Sequence, residues 1–138
     1  MTRYFAALAL AVSLLTAQSL DPKLLLKPPS EAWPTYNGDY SGKRFSPVSQ
    51  ISSANIENLT LAWMYRIANV GPQRGVGNPT IKSTPLLVNG ILYFTIPDHV
   101  FAVDAHTGER LWQYDSEDHG GHLVGQRGVG MYGHWCTS

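Results

Sequence analysis

The sequence has 138 residues, with 10 lysines and arginines against 10 aspartates and glutamates. This neutral balance excludes the basic surface that a nucleic-acid-binding protein needs. A single cysteine excludes an intramolecular disulfide framework, and 14% charged residues against 43% hydrophobic ones exclude a highly charged disordered tail. The length is that of one domain.

The first residues, 1–19, have the pattern of a secretory signal peptide. Arg3 supplies a positive charge, residues 5–15 are almost entirely apolar, and Ala17 and Ser19 provide the small residues that signal peptidase prefers. The apolar stretch is shorter than the about 20 residues that a transmembrane helix needs. We therefore expect cleavage after Ser19 and no transmembrane segment beyond the signal, with an uncleaved N-terminal anchor as the alternative.

The next segment, residues 20–70, is predicted to be an N-terminal arm. Its prolines favour an extended leader over residues 20–30. Ser52 and Ser53 are candidate N-caps of a short helical turn. Residues 61–67 have strand character.

The densest strand pattern lies between residues 83 and 115. Four short antiparallel strands are predicted, and Asn89-Gly90 is a strong two-residue hairpin signal between the first two. The predicted bounds are 84–88, 91–96, 99–104 and 110–115. The first three strands are apolar at successive positions rather than at alternate ones, so both faces of the sheet must be buried.

A small sheet with two apolar faces needs other sheets to cover them. We therefore predict an all-β fold in which residues 71–115 form the first four-stranded blade of a β-propeller, with flanking strands on either side. Residues 116–138 are predicted to be a loop and the truncated start of a second blade. A free-standing β domain that covers its faces by self-association is the alternative.

Two short strings recur along the chain at roughly the spacing of propeller blades. Trp63-Met64-Tyr65 returns as Trp112-Gln113-Tyr114, an offset of 49 residues. The string Gln-Arg-Gly-Val-Gly occurs at residues 73–77 and again at residues 126–130, an offset of 53. Blade repeats run to about 40–50 residues, so both offsets support a propeller.

Residues 102–112 read Ala-x-Asp-x-x-Thr-Gly-x-x-x-Trp, which resembles the tryptophan-docking motif of the quinoprotein dehydrogenases. Thr107 and Gly108 are expected to make the turn between the last two strands, where Asp104 can accept backbone N–H bonds. Trp112 would then offer a flat face to the next blade.

Two further stretches resemble the same family. Residues 33–63, which open Trp-Pro-Thr-Tyr-Asn-Gly-Asp, are similar to the N-terminal segment of dehydrogenases that use pyrroloquinoline quinone (PQQ). In that family this region leads into the strand that closes the ring of blades, so the resemblance implies that role for the strand within residues 20–70. Residues 126–133 are similar to the Asn-Arg-Gly string at the start of that family's second blade. The chain thus resembles the N-terminal part of a periplasmic PQQ-dependent dehydrogenase.

The resemblance implies an eight-bladed propeller that holds PQQ and a calcium or related ion over its central channel. It also implies oxidation of an alcohol or sugar by hydride transfer to the quinone, with a cytochrome or quinone as electron acceptor. Because this sequence spans one blade and a beginning, we expect the metal ligands and the catalytic base to lie elsewhere. The chain alone is therefore expected not to be a competent dehydrogenase, and its polar ending at residues 135–138 suggests a truncation, a gene fragment or a shifted reading frame.

A non-enzymatic propeller scaffold, mediating protein interactions at the cell envelope, is the alternative function. That class predicts a lipidated cysteine just after the signal, and the single cysteine here is Cys136. The scaffold also does not account for the family-like residues 33–63 or for the arginine string at 126–130.

Four residues are candidates for contact with PQQ. Arg127 matches the family arginine that approaches the quinone oxygens, where a fixed cation stabilises the reduced, more anionic cofactor. Lys82 stands where relatives commonly have Glu or Gln, and its ammonium can pair with a PQQ carboxylate. Gly121 and His122 occupy the place where some relatives have two adjacent cysteines against the ring. A structural Arg127 and a solvated Lys82 are the alternatives.

A weaker pattern is formed by residues whose side chains bind zinc in other proteins: His119, His122, His134 and Cys136. They lie in a Gly-rich stretch with no regular element to fix their geometry. No metal site is therefore predicted within this chain.

Overall fold

A computed structural model describes residues 20–67, 81–116, 125, 127–132 and 135–137. These residues form two short 3₁₀ helices and six strands. The helices are Pro22–Leu26 and Ile56–Asn58, and the strands are β1 (Leu86–Val88), β2 (Ile91–Ile96), β3 (His99–Asp104), β4 (Arg110–Asp115), β5 (Gly130–Tyr132) and β6 (Trp135–Thr137).

The main sheet is an antiparallel meander in which β1, β2, β3 and β4 pair in sequence order. Asn89 and Gly90 join β1 to β2 with φ angles of 52° and 74°, as a type I′ hairpin turn requires. β5 and β6 form a separate two-stranded antiparallel sheet. The main sheet confirms the predicted four-stranded antiparallel blade. Its first strand, β1, begins at Leu86 rather than at residue 84 as predicted.

The late start of β1 has a local cause in Ser83. Its hydroxyl donates a hydrogen bond to the carbonyl of Thr95 at 2.8 Å and accepts one from the N–H of Thr95 at 3.1 Å. The Ser83 hydroxyl thus satisfies the N–H and the carbonyl of Thr95, which a longer β1 would have paired through its main chain.

Both faces of the sheet are buried across β1, β2 and β3, as the runs of apolar residues predicted. Side chains alternate between the faces, and the register of the strands assigns each residue to one of them. One face carries Phe94, Ile96, Phe101 and Val103, and the other carries Leu86, Val88, Thr95, Val100 and Ala102, all at most 8% exposed. The outer strand β4 differs, because Leu111, Trp112 and Tyr114 are 42–56% exposed.

Residues 61–67 lie against the first of these faces. Trp63, Tyr65 and Ile67 pack on the buried cluster of that face, and the Tyr65 ring makes edge contacts with Phe94 and Phe101 at centroid distances of 5.9 and 6.1 Å. The predicted strand is therefore an extended segment with alternating contacts. No strand in the described part of the chain pairs with it.

The expectation of an extended leader over residues 20–30 was wrong, because Pro22–Leu26 forms a 3₁₀ helix. The side chain of Asp21 accepts a hydrogen bond from the N–H of Lys23 at 3.0 Å, and Pro22 fixes φ in the first turn. Leu20 is 6% exposed just before the helix. A capping carboxylate followed by proline therefore starts a helical turn that the proline count alone does not predict.

The second 3₁₀ helix confirms the predicted short turn but not its cap. Asn55, rather than Ser52 or Ser53, is the N-cap residue, and its side chain makes no capping bond within the helix. Instead, the amide oxygen of Asn55 accepts from the N–H of Ser52 at 2.7 Å. The serine main chain is thus held by the asparagine side chain, which is the reverse of the expected arrangement.

Trp33 pairs the arm with the free edge of β1. Its N–H donates to the carbonyl of Leu87 at 2.7 Å, and its carbonyl accepts from the N–H of Leu87 at 3.0 Å. This single antiparallel bridge covers part of an edge that would otherwise be open to pairing with another strand.

Trp63 fixes the other end of the arm to the turn between β3 and β4. Its indole N–H donates to the carbonyl of Ala105 at 3.1 Å. A Cβ atom placed on Gly108 would lie 2.7 Å from the indole ring, and Gly108 has a φ of +75°. Only glycine provides both the positive φ and a surface flat enough for this contact.

In the described part of the chain, no helix has the length and apolar character to cross a bilayer. The predicted signal peptide, residues 1–19, lies outside the described residues.

Gly108→Ala is expected to destabilise the protein by about 2–4 kcal/mol, from the left-handed backbone and the overlap with the indole ring of Trp63. Gly42→Ala is the matched control, because Gly42 has a φ of +71° with nothing within 4 Å of its Cβ position. The control carries only the backbone cost of about 1–2 kcal/mol. Urea unfolding of both variants measures the difference, and equal losses would contradict the docking of Trp63.

The same turn is expected to make stability depend on pH in acid. The backbone N–H of Thr107, and next that of His106, bind the carboxylate of Asp104 and lower its pKa from the usual 3.8. A carboxyl whose pKa falls on folding contributes stability above its unfolded pKa, and this contribution disappears as the pH falls through the folded value.

We therefore expect the free energy of unfolding to fall as the pH drops below 3.8, and to fall less in Asp104→Asn. Urea midpoints measured from about pH 6 to about pH 3 test this expectation. Glu57→Gln, which changes an exposed carboxyl on the second helix, is the control. Identical pH profiles for the wild type and Asp104→Asn would exclude a contribution of this carboxylate.

Candidate functional site

The structure describes two of the four predicted cofactor-binding residues. Lys82 and Arg127 are both exposed. Gly121 and His122 lie outside the described residues, so their assignment stays a prediction.

Lys82 and Arg127 are brought to the same end of the main sheet, where β1 begins and β2 ends. Lys82 directly precedes Ser83, and Arg127 directly precedes Gly128. A Cβ atom placed on Gly128 would lie 3.8 Å from the Cβ of Ser83. Each cationic residue is therefore next to the point at which the two segments touch, although the segments are far apart in sequence.

The turn that carries Arg127 rests on β2. The N–H of Gly128 donates to the carbonyl of Gly125 at 3.3 Å, and the hydroxyl of Thr95 donates to the same carbonyl. Gly125 has a φ of +68°, and a Cβ atom there would lie 3.2 Å from the Thr95 methyl group. A larger residue at this position would push the turn away from the sheet.

Ser83 and Thr95, which contact each other and lie beside the segments that carry the two cations, were not predicted from the sequence. Thr95 is a polar residue inside the otherwise apolar strand β2, and its relative exposure is 0%. A hydroxyl at such a place needs a hydrogen-bond partner. A buried hydroxyl in an apolar strand therefore indicated that Thr95 has a hydrogen-bond partner. No local sequence pattern identifies that partner as Gly125.

This end of the sheet carries two exposed cations together with the acidic residues Asp98 and Asp115. Within the described residues, neither the Lys82 ammonium nor the Arg127 guanidinium has a hydrogen-bond or ion-pair partner. The carboxylate of Asp115, also at this end, is bound by His99 at 2.7 Å. Hydrogen bonds from Gln113 and then from His99 hold the pKa of Asp115 below its usual 3.8, so its negative charge is already shared with these partners.

No group of three or more His, Cys, Asp or Glu residues in the described part of the chain is arranged to hold a metal ion. Of the weak zinc pattern, His119, His122 and His134 lie outside the described residues.

The family of the chain follows from comparison with known proteins. Residues 33–136 match the model of the β-propeller domain of PQQ glucose, ethanol and alcohol dehydrogenases. The chain belongs to this family. The match includes the arm from Trp33 onward, the four-stranded blade and the segment that carries Arg127.

Individual relatives agree with the family match. The quinoprotein glucose dehydrogenase of Escherichia coli is 40% identical over 86 residues, and the quinohemoprotein alcohol dehydrogenase of Comamonas testosteroni is 41% identical over 86 residues. Each alignment covers 62% of this chain and 11% of the relative. The chain therefore spans about a tenth of the length of these relatives.

The fold comparison gives the same result. The crystal structure of the Comamonas testosteroni quinohemoprotein alcohol dehydrogenase superposes with a TM-score of 0.66 and 29% identity, covering 84% of this chain and 18% of that chain. The predicted resemblance to PQQ-dependent dehydrogenases and the predicted all-β propeller class are thereby confirmed.

Ser83→Ala is expected to lower the free energy of unfolding by about 1–3 kcal/mol, because it leaves the buried N–H and carbonyl of Thr95 without their partners on that edge. Ser53→Ala, a change of the same kind at an exposed position, is expected to cost less than about 0.5 kcal/mol. Urea unfolding measures both values. A loss at Ser83 no greater than that at Ser53 would contradict the pairing described above.

Proposed function

We propose that this chain is part of a periplasmic PQQ-dependent dehydrogenase of alcohols or sugars, and that Lys82 and Arg127 help to hold its cofactor. The observation that carries the proposal is the placement of these two cations at one end of a blade of this family. Membership of the family supports the reaction class, and the predicted signal peptide supports the periplasmic location.

The residues present fit the chemistry of the cofactor. PQQ is a multiply charged carboxylate anion, and two exposed cations without an anionic partner in the described residues provide the complementary charge.

The two cations have different proposed roles. The Arg127 guanidinium is planar and always charged, so it can bind two oxygens in a fixed orientation. The Lys82 ammonium is a point charge on a flexible stem and is suited to a carboxylate whose position varies. When bound, PQQ supplies the quinone that accepts the hydride, with a calcium or related ion as Lewis acid. Arg127 then orients the cofactor and stabilises its anionic form.

The substrate and the electron acceptor are proposed from the names of relatives. Those names include 1-butanol dehydrogenase (cytochrome c) and alcohol dehydrogenase (quinone). We extend both acceptor types to this protein as candidates, together with an alcohol or an aldose as substrate. The metal ligands and the catalytic base are proposed to lie in other blades of the same propeller.

The test is titration of the intact gene product with PQQ in the presence of calcium, followed by dye-linked oxidation of alcohols and aldoses. Arg127→Ala and Lys82→Ala are each expected to weaken PQQ binding by about tenfold, the loss of one charge-assisted contact. Lys43→Ala, which removes an exposed cation on the arm, is expected to leave binding unchanged.

Absence of both PQQ binding and turnover in the wild-type protein would contradict the dehydrogenase and would favour the non-enzymatic scaffold. Equal effects of Lys43→Ala and Arg127→Ala on the PQQ dissociation constant would contradict the assigned site while leaving the reaction class in place.

A further inference from the structure

We propose that Thr95 is a positioning residue for the cofactor site, because it ties the turn that carries Arg127 to the segment that carries Lys82. This inference rests on the proposed function, since it concerns the spacing of the two cations assigned to PQQ. Thr95 lies on β2 and is buried, so it acts through its neighbours rather than by touching a ligand.

Every polar atom of Thr95 is used, and each bond leads towards one of the two cations. Its N–H and its carbonyl are bound by the hydroxyl of Ser83, at 3.1 and 2.8 Å, next to Lys82. Its own hydroxyl donates to the carbonyl of Gly125, two residues before Arg127. One fully buried residue thus holds two segments that are not neighbours in sequence.

Packing supports the hydrogen bond to Gly125. A Cβ atom on Gly125 would lie 3.2 Å from Cγ2 and 3.3 Å from Cβ of Thr95, so the glycine main chain rests directly on this side chain. If the turn moved outward, the Thr95 hydroxyl would lose its acceptor in a buried place. Leaving a buried donor unsatisfied is costly, and this cost keeps the turn on the sheet.

The residue type itself indicates that the hydroxyl has this role. Thr95 shares its face of the sheet with apolar side chains, among them Val100 across the strand pair. Valine has the same shape and a high strand propensity, so packing alone would be served at least as well by valine. A hydroxyl at 0% exposure is explained by what it binds.

The functional consequence is preorganisation. Lys82 and Arg127 are exposed and have flexible side chains, so binding one anion with both requires their main chains to be held at a fixed spacing. Thr95 supplies that fixed spacing. Without the hydroxyl, the binding of a ligand would have to order the turn as well.

The experiment compares Thr95→Val, which removes only the hydroxyl, with Thr95→Ser, which keeps it. Thr60→Val, the same change at an exposed position, is the control. In the intact gene product without cofactor, hydrogen exchange of the segment containing Gly128 is expected to accelerate about fivefold in Thr95→Val, the loss of one hydrogen bond. It is expected to stay at the wild-type rate in Thr95→Ser and Thr60→Val.

The second readout is PQQ affinity in the presence of calcium. Thr95→Val is expected to raise the PQQ dissociation constant about fivefold, and Thr95→Ser to restore it. In an Arg127→Ala background, the same Thr95→Val change is expected to have no further effect on the dissociation constant, since the group that Thr95 positions has been removed. A merely stabilising residue would weaken binding equally in both backgrounds.

Unchanged hydrogen exchange in Thr95→Val would overturn the proposal, and so would additive effects of Thr95→Val and Arg127→Ala on PQQ affinity. If the wild-type protein binds no PQQ, the proposed function fails, and hydrogen exchange alone decides whether Thr95 holds the turn. If Thr95→Val does not fold, Gly125→Ala displaces the turn while keeping the hydroxyl, and it is then expected to give the same two changes.

Discussion

The structure depends on the burial of both faces of one small sheet. Three consecutive apolar strands cannot leave either face in water, and each face therefore needs a cover from outside the meander. On one face the cover is the extended segment 61–67 of the arm. On the other, at Thr95, it is the turn that begins at Gly125. Two segments that flank the blade in sequence thus pack against its two faces.

The contact between Trp63 and Gly108 joins the arm to the blade. The indole ring lies on the flat main chain of the β3–β4 turn and is fixed there by one hydrogen bond to Ala105. Trp112 stands 49 residues after Trp63 in a matching string, on the exposed outer strand β4. Trp112 is therefore the candidate for the same kind of contact with the next blade.

Fold and site were predictable from the sequence to different extents. The strands were predictable because apolar runs and the Asn89-Gly90 turn are local signals of large effect. The 3₁₀ helix Pro22–Leu26 was missed because a single capping carboxylate, Asp21, outweighed a composition that favours an extended chain. The start of β1 was misplaced because a serine side chain took the place of the main-chain ladder.

Lys82 and Arg127 were predicted as candidate site residues from family resemblance, but their common location was not predicted. Their proximity depends on contacts between Ser83 and Gly128 and between Thr95 and Gly125, which join distant parts of the sequence. No periodicity or motif encodes such contacts. The one local indication is Thr95, a buried threonine in an apolar strand. Its hydroxyl must have a hydrogen-bond partner, but the sequence does not identify that partner.

A crystal structure of the intact gene product with PQQ would test the central claim most directly. We expect segment 61–67 and the Gly125 turn to cover opposite faces of the blade, and the Lys82 ammonium and Arg127 guanidinium to bind the same PQQ molecule. A blade with one apolar face open to solvent, or a cofactor bound away from both cations, would contradict the account.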